Sequence, residues 1–226
     1  MSWFNKFSKY NKTNYNGGGL LEDFSLDSLS ADAKVYTEPQ FIAPRKIDNR
    51  DMCLATNDQG RTSQCAAYSM AGYLEFQNWK TNHYPEQINP EPIYNEAKII
   101  DGNSNPGTYL QSVAQAVINL GLVKGTPKHI NRSELDVKFA IHQFGVCIAG
   151  FRITNEWNTV ETSTGKIPII NGSTQRGGHA VLLNGYDNEG IYLQNSWSPN
   201  WGIHGFAILP WSLFNAELMD ALVITQ

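Results

Sequence analysis

Residues 58–79 read DQGRTSQCAAYSMAGYLEFQNW. From Gln64 to Trp79 this stretch carries apolar residues on nearly every side: Ala66, Ala67, Tyr68, Met70, Ala71, Tyr73, Leu74, Phe76 and Trp79. A helix that is apolar all round has to be enclosed by the rest of its chain, so the stretch predicts a buried central helix. Cys65 stands at the predicted start of that helix, after the loop opened by Asp58-Gln59-Gly60. The positive end of a helix dipole stabilises an anion, and a thiol placed there has a lowered pKa.

Working outward, a second helix is expected from Asn89-Pro90, with Asn as cap and Pro at the first helical position, to about Ile100. A third is expected from Thr108, with Thr108 and Gln111 as a capping box and Gly121 as its stop. A fourth runs from about Ser133 to Gln143 and ends at Gly145. The period then changes. Val146–Ile153, Ala180–Tyr186, Ile191–Asn195 and Ile203–Leu209 read as strands, and Asp187-Asn188-Glu189-Gly190 reads as a hairpin turn. Helices first and strands later give an α+β class with a helical lobe and a sheet lobe. The division expected is an N-terminal extension over 1–45 and a main body over 46–226, helical over about 46–130 and β over about 131–226.

Composition narrows the function. The chain has 226 residues, 41% of them hydrophobic and 17% charged, so it is long enough for one large domain and is not disordered by composition. The net charge of −4 argues against nucleic acid as the main partner, since phosphate binding needs a clustered basic surface. No apolar run approaches the roughly 18 residues of a membrane span. Cys53, Cys65 and Cys147 cannot all pair with one another, so a disulfide framework is not expected. Cys53 and Cys147 read as buried thiols. His83, His129, His142 and His204 show no metal-ligand spacing, and neither metal nor cofactor is expected. The start, MSWFNKFSKYNK, lacks the apolar core of a Sec signal. That leaves the compartment open between the cytoplasm and a non-Sec route.

Two later residues complete a chemical set. His179 lies in Gly177-Gly178-His179-Ala180 at the mouth of an apolar strand, and Asn195 lies in Gln194-Asn195-Ser196-Trp197 at the end of another. A thiol nucleophile needs a base, and the base needs a group to orient it. Cys, His and Asn in this order match the Cys-His-Asn variant of that scheme.

Gln59 six positions before Cys65, Gly178-His179-Ala180, Asn195-Ser196-Trp197, and Trp201-Gly202 with Gly205-Phe206 together resemble the papain-like cysteine peptidases, their bacterial and minimal members above all. PRKIDNR at 44–50 resembles the start of the mature enzyme in that family, so the resemblance spans about residues 44–226. It implies a two-lobe fold, a helical lobe and an antiparallel β-sheet or barrel lobe with the active-site groove between them. It further implies Cys65 as nucleophile, His179 as its proton partner in a thiolate–imidazolium pair, and Asn195 as the acceptor that orients His179. Gln59 and the Cys65 backbone N–H would form the oxyanion hole, and Trp197 would cover the His179–Asn195 pair. Gly107 and Gly178 are expected to line the substrate groove. The implied reaction is hydrolysis of peptide bonds in a protein or peptide substrate through a Cys65 thioester. The alternatives are a catalytically silent binding or scaffold protein, and a thiol acyltransferase or deamidase using the same triad.

The chain departs from the family pattern in four places. Gln64 stands where a small residue is usual, Ala66 where Trp is frequent, and Ser198 where Gly follows the Asn-Ser-Trp. Thr62 stands where the family has a disulfide cysteine. The N-terminal extension lacks the helical signature of the family's propeptide. Its Trp3, Phe4, Phe7 and Tyr10 would line one side of a short helix, followed by a polar stretch ending in Gly17-Gly18-Gly19. It is expected to be a disordered tail, to dock on the enzyme or a carrier, or to serve as a short pro-segment.

Overall fold

A computed structural model describes residues 19–21, 41–84 and 86–225. The aromatic N-terminal helix expected over Trp3 to Tyr10 lies outside the described residues. So do Gly17, Gly18 and the acidic stretch beyond Leu21.

Among the described residues five α-helices and seven strands form the fold. In chain order they are β1 (Ile47–Asp48), α1 (Cys65–Asn82), α2 (Pro90–Asp101), α3 (Leu110–Asn119), β2 (Thr126–His129), α4 (Glu134–Phe144), β3 (Cys147–Thr154), β4 (Gln175–Tyr186), β5 (Gly190–Gln194), β6 (Phe206–Pro210), α5 (Trp211–Glu217) and β7 (Leu218–Thr225). The strands make one antiparallel sheet in the order β2-β7-β3-β4-β5-β6, with β1 added alongside β4. The class is α+β.

Side chains on a strand alternate between its faces, and the two cores follow that alternation. Val146, Ile148, Ala180, Leu182, Leu222 and Ile224 face α1, α2 and α3. Cys147, Ala149, Phe151, Ile153, Val181, Leu183, Ala221 and Val223 face away, into a second core with α4, α5, Trp157, Trp197 and Trp201. The α1 helix is buried along both sides, as its sequence requires, with Cys65, Ala66, Met70 and Ala71 fully enclosed. Its one buried acid, Glu75, accepts from the backbone N–H of Ile88. Tyr73 ties α1 to β7 through its hydroxyl, which meets both N–H and C=O of Ile224.

The expected starts of α2 and α4 are observed: Asn89 accepts from Glu91 N–H, and Ser133 accepts from Asp136 N–H. Gly121, in the left-handed region at φ 69°, donates to Ile118 O just past α3. Asp187 and Gly190 close the β4–β5 hairpin. Three readings need correction. Thr108 is not the cap of α3: Tyr109 holds that place without a side-chain bond, and the Thr108 hydroxyl donates instead to buried Asp101 at 2.6 Å. The strand expected from Ile203 begins at Phe206, because His204 and Gly205 both have positive φ and turn the chain back. The sequence reading also lacks β7 and α5. Tertiary pairing with β3 makes a strand of Leu218–Thr225, a run whose only turn signal is its junction with α5.

Candidate active site

Cys65 is the first residue of α1. The residue before it, Gln64, caps the helix with no side-chain bond. Helix N-termini leave backbone N–H groups without intrahelical partners. With no Ser, Asp or Asn cap to take them, the N–H groups of Ala66 and Cys65 itself act on the sulfur, and both favour its thiolate. The backbone N–H of Ala180 does the same from β4. Ala180 follows His179, so this contact brings the thiol to the strand residue next to the imidazole in the chain.

His179 is fully buried. Its Nε2 lies 2.7 Å from Asn195 Oδ1. Asn195 Oδ1 also accepts from the backbone N–H of Ser196 at 2.8 Å, which fixes the amide's orientation. An acceptor at that position keeps the proton on Nε2 of the neutral ring. The indole of Trp197 lies across the imidazole, ring centroids 4.6 Å apart, and Trp157 meets the ring edge at 6.2 Å. Nδ1 is enclosed without a hydrogen-bond partner among the described residues.

Gln59 is held from three directions. Its backbone N–H donates to Ser196 O at 2.8 Å, its Oε1 accepts from the Ser196 hydroxyl at 2.5 Å, and its Nε2 donates to Thr62 O at 2.8 Å. A carbonyl can only accept, so Thr62 determines which end of the amide is the donor. Ser196 was not singled out from the sequence as a functional residue, although it adjoins Asn195. Ser198 keeps the left-handed backbone, φ 70°, that suits the glycine usual at that place.

Residues 19–21 run through the site. Leu20 N–H donates to Gly178 O at 3.2 Å. Thr108 N–H donates to Gly19 O, and Leu21 N–H donates to Thr108 O, both at 3.0 Å. The segment is thus an extra strand, parallel to Thr108 on the helical side and antiparallel to Gly178 on β4. A Cβ on Gly107 would lie 2.4 Å from Gly19 O, and one on Gly178 would lie 2.4 Å from Leu20 O. Both positions lie against residues 19–21, and on the helical side the backbone pairing itself goes through Thr108. The Leu20 side chain is buried over Gly150, beside Leu110.

With this segment in place burial dominates the electrostatics. It pushes the Cys65 thiol up to about 11 against the three favourable N–H groups, and it holds the His179 imidazole down to about 4 against its bond to Asn195. In this arrangement burial therefore opposes charge on both members of the ion pair expected from the sequence. Cys147 is fully buried and Cys53 partly so; burial pushes both thiols up to about 12. No described helix is long and apolar enough to cross a membrane.

No family model and no curated protein sequence matches the chain. Solved structures do. Xylellain, a cysteine protease from Xylella fastidiosa, is 20% identical with a TM-score of 0.78, over 98% of this chain and 99% of that one. Digestive procathepsin L 3 of Tenebrio molitor larval midgut is 16% identical with a TM-score of 0.67, over 85% and 73%. The procathepsin B S9 of Trypanosoma congolense is 14% identical with a TM-score of 0.67, over 92% and 86%. At these identities the likeness is one of fold, and the fold is that of the papain-like cysteine proteases.

Proposed function

We propose that the chain is a cysteine peptidase whose groove, in this arrangement, is closed by its own residues 19–21. The observation that carries the reading is the convergence at one groove of Cys65 on the N–H groups of α1, the His179–Asn195 pair at 2.7 Å, and a fixed Gln59 amide. When the segment leaves and water reaches the site, the burial that opposes charge is relieved. The helix N–H groups then favour the thiolate, and Asn195 favours the imidazolium. Cys65 attacks the carbonyl carbon of an extended peptide. The carbonyl oxygen becomes an oxyanion, which takes the second Nε2 hydrogen of Gln59 and the Cys65 backbone N–H. His179 passes its proton to the departing amine, leaving a thioester. A water, deprotonated by His179, attacks the thioester and restores the thiol.

Residues 19–21 present to the groove what an extended substrate would present, backbone N–H and C=O groups in a β-ladder. We assign this segment, within the extension over 1–45, as an autoinhibitory plug over the body at 46–226.

The test is intact mass of wild type and Cys65→Ala after treatment with an irreversible epoxysuccinyl thiol reagent at mildly acidic pH, where ordinary thiols are protonated and slow. One adduct on the wild type that is absent from the variant is the expected result, faster when Leu20→Asp opens the groove. Failure of Leu20→Asp to label while folded would sink the peptidase reading. Peptide hydrolysis measured with and without an added amine separates hydrolysis from acyl transfer.

A further inference from the structure

The helical rim of the groove ends in a part-buried charge network that the reaction does not use. Lys98 Nζ donates to Asp101 Oδ1 at 3.0 Å and Oδ2 at 3.2 Å, to Asn103 Oδ1 at 3.0 Å, and to the carbonyl oxygen of Gly107 at 3.0 Å. The Asp101 side chain is wholly enclosed, and it accepts from the Thr108 hydroxyl at 2.6 Å and from Asn103 N–H at 3.0 Å. Enclosing a carboxylate costs several kcal/mol before pairing, and such pairs are weak contributors to stability. A loop held only for stability has cheaper solutions.

The geometry points to a different use. The Gly107 C=O and the Thr108 N–H are the two ends of one rigid peptide plane. Lys98 holds the oxygen end away from the groove, and the nitrogen end donates into the groove, to Gly19 O at 3.0 Å. Asp101 holds the side chain of Thr108, the residue on the far side of the same plane. Gly107, having no Cβ, does little by itself to resist rotation of that plane. A rotation would turn a carbonyl into the groove, facing the carbonyl of whatever peptide lies there. A cation on the oxygen also polarises the peptide group and strengthens the N–H as a donor. We propose that Lys98 and Asp101 are positioning residues that keep the Gly107–Thr108 peptide turned to bind the backbone of a peptide in the groove. For a bound substrate this rests on the peptidase reading; for residues 19–21 it does not.

The test uses the full-length chain. Hydrogen exchange at the Leu20 and Leu21 amides is expected to quicken about tenfold in Lys98→Met, the loss of one charge-assisted backbone anchor, and to return to the wild-type rate in Lys98→Arg. Thr108→Val removes the hydroxyl anchor and leaves the ion pair intact, so it serves if Lys98→Met does not fold, and it too should loosen the segment. Unchanged exchange in the folded variants overturns the proposal, and so does loosening that Lys98→Arg does not restore. In a Leu20→Asp background, Lys98→Met should raise KM for a peptide about tenfold with kcat within about twofold. A fall in kcat at constant KM would overturn the positioning role. Absence of turnover in the Leu20→Asp parent would count against the peptidase reading alone, and the exchange rates would still decide the role of Lys98.

Discussion

Cys65 is subject to opposed forces. Three backbone N–H groups favour its thiolate, while complete burial favours the neutral thiol and prevails. On the proposed reading, activation consists of letting water in. On the proposed mechanism, Gln59→Ala in an opened groove removes the side-chain oxyanion donor and should lower kcat by about 10²–10³-fold at nearly constant KM. Ser196→Ala, which frees only the far end of the same amide, should cost less, and steady-state kinetics of the two variants would rank them. Cys65→Ala should abolish turnover and the thiol adduct together. Cys65, His179 and Asn195 were singled out because each stands at the start or end of a segment expected from the sequence, and Gln59 through the family resemblance. Ser196 and Lys98 were not. Their roles depend on partners 137 and 9 positions away, and no local pattern marks a side chain whose work is to hold another group still.

The element proposed to control access is the extended segment at residues 19–21. It pairs on both edges, and Leu20 fills the space over Gly150. Burying a leucine side chain is worth about 2 kcal/mol, so Leu20→Asp, which also brings a carboxylate to that apolar site, should expel the segment. Faster alkylation of Cys65 in the intact protein is the expected readout. Gly178→Ala tests the same seat from the wall side, since its Cβ would collide with Leu20 O. Slower labelling than wild type in that variant would mean that the segment does not limit access. Elsewhere Glu217 shows how α5 is secured: its carboxylate accepts from Trp157 Nε1 at 2.9 Å and from the Thr154 hydroxyl at 3.1 Å. Glu217→Ala leaves a buried indole N–H without that acceptor and should cost about 1–3 kcal/mol in chemical unfolding.

At the scale of the whole molecule, the site couples folding to pH. The His179 pKa is lowered in the fold from 6.5 to about 4, burial being the main cause. Between those values the unfolded chain binds a proton that the closed native state does not. Stability from this group is therefore fully present above pH 6.5 and is lost as pH falls toward 4. Glu75 and Glu217, whose pKa values burial raises, act in the opposite sense above 4.5. The comparison that isolates His179 is the difference in melting temperature between pH 7 and pH 4.5 in wild type and in His179→Gln. The drop on acidification should be smaller in the variant. An equal drop would show that the imidazole is not held neutral by the closed groove.

By itself the sequence determined the α+β class, the buried helix that begins at Cys65, and the order of the residues brought to the groove. These follow from local periods, caps and turns, which act over a few residues. Tertiary structure decided the rest. Leu218–Thr225 is a strand because β3 and β2 pair with it. Thr108 leaves its expected capping role because a buried carboxylate outbids the helix end for its hydroxyl. Burial opposes charge at Cys65 and His179, and residues 19–21 lie in a channel whose walls, at Gly107 and Gly178, are far along the chain. Burial and long-range pairing are properties of what surrounds a residue, and only the folded chain supplies those surroundings.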